Sequence, residues 1–453
     1  MPSRAPFVAN RSAVIPPTVA VRFADRIALT TVMLIPLLLL HAHGIAEVAI
    51  GIADVCFLVR SALVCDWSWL RPSWMRISLL WWAWLVVCSA PIPGLGLGEA
   101  GWGGLVQAVA IGRFLVLIAA LQHAVLRERR ARRWMFALIA AAVAWIAAQS
   151  LLQAASGHNL WGHVRGRDGE LTGPFAKPRA GPPLARLLFP VLVPAAARLL
   201  ARPGVLARAG AYALLLGGMC VMVLIGQRMP VLITGLGLVV VGLLLRRLRP
   251  VVLAAGLAGL ALVAASAAVS PPAYHRLVLK FDAQMQNFPT TQYGELAARA
   301  WAIGVQHPLT GRGVEGFRTG CMLPRYFRPT FDGRIGDGGG AVICANHPHN
   351  FYLEALDDGG FPGLALFSAT ALAWMAPLAG GLWRRPDPLR VGLFASVLIQ
   401  LWPLASTSAF ISMPMGGWLF LLLGWGLAEA RWRQPAQTVD RARSNLKTNV
   451  EQA

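Results

Sequence analysis

The sequence predicts an all-α polytopic membrane protein of about twelve transmembrane helices, with a long, partly helical outside loop before the third-last helix. Three observations predict it. Of 453 residues, 56% are hydrophobic and 13% charged, with a mean hydropathy of +0.57, whereas a soluble domain averages about 25% charged residues. Apolar runs of the length that reads as membrane helix, about 18 residues or more, recur from Ile27 to about Ala430. The breaks between them are short and rich in Arg or in Gly and Pro. In lipid such runs must be helical, because each unpaired backbone group costs several kcal/mol.

In chain order the expected helices lie near 27–41, 45–64, 77–90, 102–125, 134–153, 183–200, 209–226, 229–245, 250–270, 360–382, 389–407 and 415–430. The chain thus divides into an inside tail (1–26), nine helices (27–270), a long outside loop (271–359), three helices (360–431) and a second inside tail (432–453). Residues 1–20 are polar and Pro-containing with no short apolar core, so the first membrane helix is expected to act as the insertion signal in place of a cleaved peptide. The polar stretch from Gln434 to Ala453 is expected to be disordered.

Charge sets the orientation. With both ends inside, Arg60, Arg71 and Arg76 fall in or beside one inside loop, and Arg127, Arg129, Arg130, Arg132 and Arg133 in the next. Arg198, Arg202 and Arg208 follow, then Arg246, Arg247 and Arg249, then Arg384, Arg385 and Arg390. Three of the short outside turns, 41–44, 91–101 and 408–414, hold no Lys or Arg. This alternation is the positive-inside pattern. It accounts for the formal net charge of +21, which in a soluble protein would point to nucleic acid; a nucleic-acid partner is excluded.

Two outside segments depart from the pattern. Residues 154–182 carry Gly157-His158-Asn159, Arg165, Arg167, Lys177 and Arg179. Residues 271–359, far longer than an ordinary connection, hold Arg276, Lys280, Arg299, Arg312, Arg318, Arg325, Arg328 and Arg334. A compositional excess of arginine and a large anionic ligand at the outer face both explain these cations. Arg228 favours the second, because a spare cation in a tight turn beside two lipid-spanning helices has little other cause. Arg113, inside the fourth apolar run, is an intramembrane cation and a candidate headgroup or partner contact.

Within the long loop, the spacing predicts an amphipathic helix over Tyr293–Gln306 with Leu296, Ala300, Ile303 and Gly304 on one face. Glu295 and Arg299, four residues apart, give a second reading of Arg299 as half of a surface pair. Of six cysteines, Cys56, Cys88 and Cys220 lie in helices and Cys65 inside. Cys321 and Cys344 share the outside loop in an oxidising compartment, so a disulfide worth about 3 kcal/mol is expected between them.

Two stretches match G-x-G-x-x-G, Gly96–Gly101 and Gly311–Gly316. Neither follows a strand in a βαβ unit and both face outside, so neither is a cofactor site; the second is expected to form a tight loop. The most informative stretch is Asn346-His347-Pro348-His349-Asn350, continuing through Glu354, Asp357 and Asp358 to Gly359-Gly360-x-Pro362-Gly363. Asn350 is placed to cap a short helix, Gly359-Gly360 to end it, and Pro362 to open the next span. His349 then stands at a helix start near the outer face. A structural and a catalytic histidine both fit that place; His347 and His349 with Cys344 form part of a zinc set that lacks a clear fourth ligand.

At these residues the sequence resembles a known family. His349-Asn350, nine intervening residues and Gly360-x-x-Gly363 match the H-[NSQ]-x9-G-x-x-G pattern of the O-antigen ligases, which belong to a larger set of GT-C-like membrane glycan transferases and polymerases. Gln227-Arg228 after a helix, Arg299-Ala-Trp301, and His307-Pro308-Leu309-x-Gly311-x-Gly313 are also similar, so the resemblance spans roughly residues 160–370. The first five helices add only topology. Such ligases transfer a completed polysaccharide from undecaprenyl diphosphate to the lipid A–core acceptor, on the periplasmic side of a Gram-negative inner membrane. The resemblance implies that His349 is the catalytic base, that Arg228 and Arg299 bind the diphosphate, and that Asn350, Gly360 and Gly363 support the motif. Lys177, Arg179, Arg113 and Tyr352 are weaker candidates for substrate contact; Tyr352, Glu354 and Asp357 are candidates to orient His349 or the acceptor, and His347 is read as structural.

The chemistry agrees with that implication. A sugar hydroxyl attacking an anomeric carbon needs a base of near-neutral pKa. A diphosphate leaving group needs its growing charge balanced, which the fixed fork of arginine supplies; no Asp-x-Asp pair lies outside, so no metal and no other cofactor is implied. One base without an evident nucleophilic carboxylate predicts a single inverting displacement. A polymerase of the same superfamily, with another lipid-linked glycan as acceptor, is the nearest alternative. A flippase or other transporter would show internal repeats and midplane polar sites, whereas here the polar residues gather at the outer edge.

Overall fold

The computed structural model describes residues 19–166, 168–327 and 339–432. Within them the protein is all-helical, with a single isolated bridge between His158 and Val164 and no strand. The helices are α1 (Val19–His41), α2 (His43–Leu63), α3 (Ser73–Ser89), α4 (Gly101–Ala120, prolonged by a π-turn at Leu121–Val125), α5 (Arg129–Ser156), α6 (Gly181–Leu200), α7 (Val205–Ile225), α8 (Arg228–Leu244) and α9 (Arg249–Val269). The long connection holds α10 (Pro271–Tyr274), α11 (Lys280–Gln286), α12 (Gln292–Gln306) and α13 (Gly316–Gly320). Then come α14 (Phe351–Ala379), α15 (Pro388–Gln400) and α16 (415–432).

Each of the twelve apolar runs overlaps a helix. Seven helices are long and apolar enough to cross a membrane: α1, α4 with its π-turn, α5, α6, α7, α9 with the turn before it, and α14; α8 and α15 are apolar but shorter. Leu253, Leu257 and Leu260 form an exposed stripe along α9, and Leu372 is exposed on α14. Apolar stripes turned away from a bundle suit a lipid surround, where apolar side chains lose nothing by facing out. Inside, α1 lies along α2, α3 along α14, α7 along α9, and α6 between α7 and α15.

Two boundaries differ from expectation and one follows it. α1 starts at Val19, so residues 19–26 are helix and not tail. The helix expected after Asn350 starts at Phe351, capped by Asn350 Oδ1, which accepts from Tyr352 N (2.9 Å) and Leu353 N (3.1 Å), and meets the next span at a non-helical Gly360. The eleventh run ends at Gln400, and residues 401–414 are largely irregular. The expectations for residues 1–18, for the tail 433–453, and for Arg167, Arg328 and Arg334 lie outside the described residues.

α14 bends where its glycines allow. Gly360 has φ 65° and ψ −164°, a conformation essentially restricted to glycine. The bend frees Phe361 N, which donates to Pro308 O (2.8 Å). Trp84 Nε1 of α3 donates to Gly359 O (2.8 Å). A Cβ at Gly360 would stand 2.5 Å from Pro308 O, and one at Gly363 would stand 2.9 Å from Ala355 O. The paired glycines therefore serve close backbone approach.

The two G-x-G-x-x-G stretches dock on one another. Glu99 of the first pairs with Arg312 of the second, and a Cβ at Gly104 would stand 2.6 Å from Val314 O. Gly311 and Gly313 both take positive φ, the tight loop expected there.

α12 buries the face read from the sequence: Leu296, Ala300, Ile303 and Gly304 are all buried. The first three form a small separate core with Phe317, Cys321 and Tyr326. The structure joins Cys321 to Cys344 by a disulfide, which removes the third member of the zinc alternative. Among the described residues no group of three His, Cys, Asp or Glu is arranged to hold a metal ion.

Candidate functional site

His349 immediately precedes the cap of α14 and holds φ 58°, a conformation that costs a non-glycine residue of order 1–3 kcal/mol and persists only where neighbours enforce it. Thr407, in the irregular segment after α15, supplies that enforcement. Thr407 N donates to His349 O (2.8 Å), and His349 Nδ1 lies 3.1 Å from Thr407 O. A carbonyl can only accept, so Nδ1 carries the proton and Nε2 keeps its lone pair. Burial lowers the pKa of His349 below its ordinary 6.5, and the Thr407 carbonyl opposes that shift only in part. The ring is therefore neutral at neutral pH, with Nε2 in the basic form. The same irregular segment ties down the start of α14: Asn350 Nδ2 donates to Pro403 O (2.6 Å), Tyr352 OH to Leu401 O (2.8 Å), and Phe410 N to the Glu354 carboxylate (3.0 Å). Tyr352 and Glu354 are thus spent on holding this segment.

His349 lines a cavity of about 180 Å³, shared with Arg186 of α6, Met229 and Pro230 of α8, and Thr407. The Tyr293 ring packs edge-on against His349 at 5.4 Å and lies within electrostatic reach of Arg228. Arg228 opens α8; its guanidinium bonds Gln284 Oε1 and pairs with no carboxylate among the described residues. The nearby acids are taken: Arg276 holds Asp168 (3.1 Å) and Glu170. Gln227 Nε2 donates to Pro178 O (2.6 Å), which anchors Lys177 and Arg179, both exposed, to the same end of α8.

The structure separates the remaining candidates. Arg299 is 3% exposed. Its Nη1 donates to Cys321 O (2.5 Å) and Gly340 O (3.3 Å), and the guanidinium stacks on Phe327 at 4.4 Å. These loop carbonyls and the Phe327 ring fix the position of its guanidinium. Arg113 lies in a second cavity of about 460 Å³ with Glu47, Arg318, His347, Glu354 and Asp358, and pairs with Glu47 at 3.7 Å. The His347 and His349 rings are 4.3 Å apart, so one turn of chain carries a histidine to each cavity. Burial, with His349 alongside, pushes the His347 pKa down to about 4.

Two contributors were missed in the sequence. Arg186 interrupts the sixth apolar run and met the intramembrane-cation rule that singled out Arg113. Thr407 belongs to the polar run Ser406-Thr407-Ser408 at the end of the eleventh, a break in hydropathy that marked the helix as already finished.

An all-α bundle with seven membrane-length helices among the described residues, and a neutral, strained histidine sharing a cavity with Arg186 at one end, defines a polytopic membrane protein. Residues 211–368 match the family described as O-antigen ligase. The matched stretch runs from α7 into α14, so it contains Arg228, Arg299, His349, Asn350, Gly360 and Gly363 but not Arg186 or Arg113. No curated protein matches the chain.

Proposed function

We propose that the protein is an O-antigen ligase that transfers a polysaccharide from undecaprenyl diphosphate to a sugar hydroxyl of lipid A–core, by an inverting, metal-independent displacement with His349 as the base. The observation that carries this reading is the Thr407–His349 bond, which leaves Nε2 unprotonated on the wall of a cavity bordered by arginine. In the proposed reaction Nε2 takes the acceptor's hydroxyl proton as the new bond forms at the anomeric carbon. The bond to the diphosphate breaks on the opposite side, and undecaprenyl diphosphate leaves with its charge met by Arg228. Lys177 and Arg179 border the same entrance. Arg299 instead closes the loop that holds α12 against α14.

The acceptor is proposed to approach His349 from the second cavity, which is lined by the adjoining His347 and whose Arg113 suits acceptor phosphate. The twelve helices are proposed to cross the Gram-negative inner membrane with both termini cytoplasmic. Residues 271–359 are then periplasmic, as the Arg-rich turns at the other end of the bundle favour.

The test is transfer by the purified full chain from undecaprenyl-diphosphate glycan to lipid A–core, with EDTA present. Product on lipid A–core supports the ligase. Lengthening of the lipid-linked glycan alone moves the chain to the polymerase reading.

A further inference from the structure

Arg186 is the most unusual charge in the bundle. It lies in the first half of α6, is 4% exposed, and pairs with no carboxylate among the described residues. Its Nε donates to Gln400 Oε1 (2.9 Å) and its Nη1 to Pro182 O (2.8 Å). Gln400 is itself aimed, by donation from Nε2 to Ser396 O (2.8 Å). Both of Arg186's partners are neutral, so they fix the guanidinium without balancing its charge. Its Nη2 makes no hydrogen bond among the described residues. A buried cation without a counter-charge is expensive, and helix α6 needs none to pack: replacing it by an apolar side chain would continue the run Leu184–Leu188.

The place of the charge indicates its counter-ion. Arg186 borders the same cavity as His349. The start of α6 is bolted to the start of α8 by Gly181 N, which donates to Gln227 Oε1 (3.1 Å), and Arg228 is the next residue. Arg186 sits five residues along α6 from Gly181, about 7–8 Å deeper at the rise of a helix. Arg228 adjoins the cavity-lining Met229 and Pro230, and the acids within its electrostatic reach, Asp168 and Glu170, are held by Arg276; one arginine beside the cavity and one within it suit a ligand with two linked phosphates rather than one.

We propose that Arg186, oriented by Gln400, is a binding residue for the diphosphate of an isoprenyl-diphosphate donor, holding the inner phosphate while Arg228 holds the outer one. This rests on the donor class proposed above and adds to it a residue outside the stretch matched to the family. Because the two positions are rigidly linked through Gln227, the cavity selects a diphosphate over a lone phosphate headgroup.

The test uses the purified full chain in detergent, with thermal unfolding followed as geranyl diphosphate is titrated, in wild type, Arg186→Gln and Arg186→Lys. We expect geranyl diphosphate to raise the wild-type Tm. Half-saturation should rise tenfold or more in Arg186→Gln, the loss of one charge-assisted phosphate contact, and by less in Arg186→Lys, which keeps charge but not the fork. Without ligand, the Tm of Arg186→Gln should stay level or rise, since an uncompensated buried charge has gone.

Unchanged half-saturation in both variants overturns the proposal, as does equal stabilisation of wild type by inorganic phosphate or phosphatidylglycerol. If Arg186→Gln does not fold, Arg186→Lys decides alone. Arg186-dependent binding of geranyl diphosphate with no glycan transfer to either acceptor would keep this site and remove the transferase reading; transfer with Arg186-independent binding would do the reverse.

Discussion

Two sets of histidine, tyrosine and arginine stand on the loop side of this protein, and they differ in what answers them. In the first, His307 Nε2 meets Tyr326 OH at 2.7 Å, and Arg312 donates to the same hydroxyl at 3.0 Å. Glu99 closes the set, pairing with Arg312 and with Arg325 at 2.8 Å. In the second, His349 packs on Tyr293, with Arg186 in the same cavity and Arg228 next to the cavity-lining Met229, and neither arginine forms an ion pair among the described residues. The residue types are nearly the same. The first set is saturated and holds the loop to α4 and α14; the second leaves a basic nitrogen and one cation on a cavity wall, with a second cation beside it. The inventory of partners, more than residue type, separates scaffold from site here.

The largest expected effect breaks the comparison open. His349→Ala should lower kcat for transfer by about 10²–10⁴, the usual contribution of a general base. His307→Ala should leave transfer per folded molecule near wild type while lowering Tm. Equal losses from both would mean that the saturated set also serves the reaction.

Arg312→Ala should destabilise the protein by about 3 kcal/mol, near the low end for breaking a buried ion pair because Arg325 still partners Glu99. Denaturant unfolding in detergent measures it. A mild Arg312→Ala beside a strongly destabilised Arg186→Gln would invert the assignment of scaffold and site.

Replacing both Cys321 and Cys344 by Ser should cost about 3 kcal/mol and loosen the carbonyls that hold Arg299, with transfer per folded molecule little changed. A large loss of transfer at near-normal Tm would return Arg299 to the substrate.

The helices were legible because burial in lipid leaves a long apolar run few alternatives, and α12 was legible because its buried face repeats at helical spacing. The cap at Asn350 and the break at Gly360 could be read from side-chain chemistry at single positions. The bonds of Arg299 to the backbone carbonyls of Cys321 and Gly340 could not be foreseen, since those groups lie far along the chain and carry no side-chain signature. Thr407 was hidden for the same reason: it holds His349 through main-chain groups that any residue possesses. Glu99 sat in one glycine motif and Arg312 in the other, a complementarity visible only when those loops are considered together.

The smallest expected effect is in the pH profile, and it tests the environment of the base directly. An exposed histidine loses half its basic form near pH 6.5. Burial places His349 below that value, so its neutral form should predominate down to a more acid pH. The kcat/KM for transfer should therefore fall less between pH 7.5 and 6.5 than it would with an exposed histidine base, and fall about tenfold per unit only below the shifted pKa, following loss of the unprotonated base. His347, already pushed down to about 4, stays neutral through this window and adds no second inflection there. A half-maximal rate at or above pH 6.5 would mean that the His349 cavity is open to water, and the contrast with the saturated set would lose its physical basis.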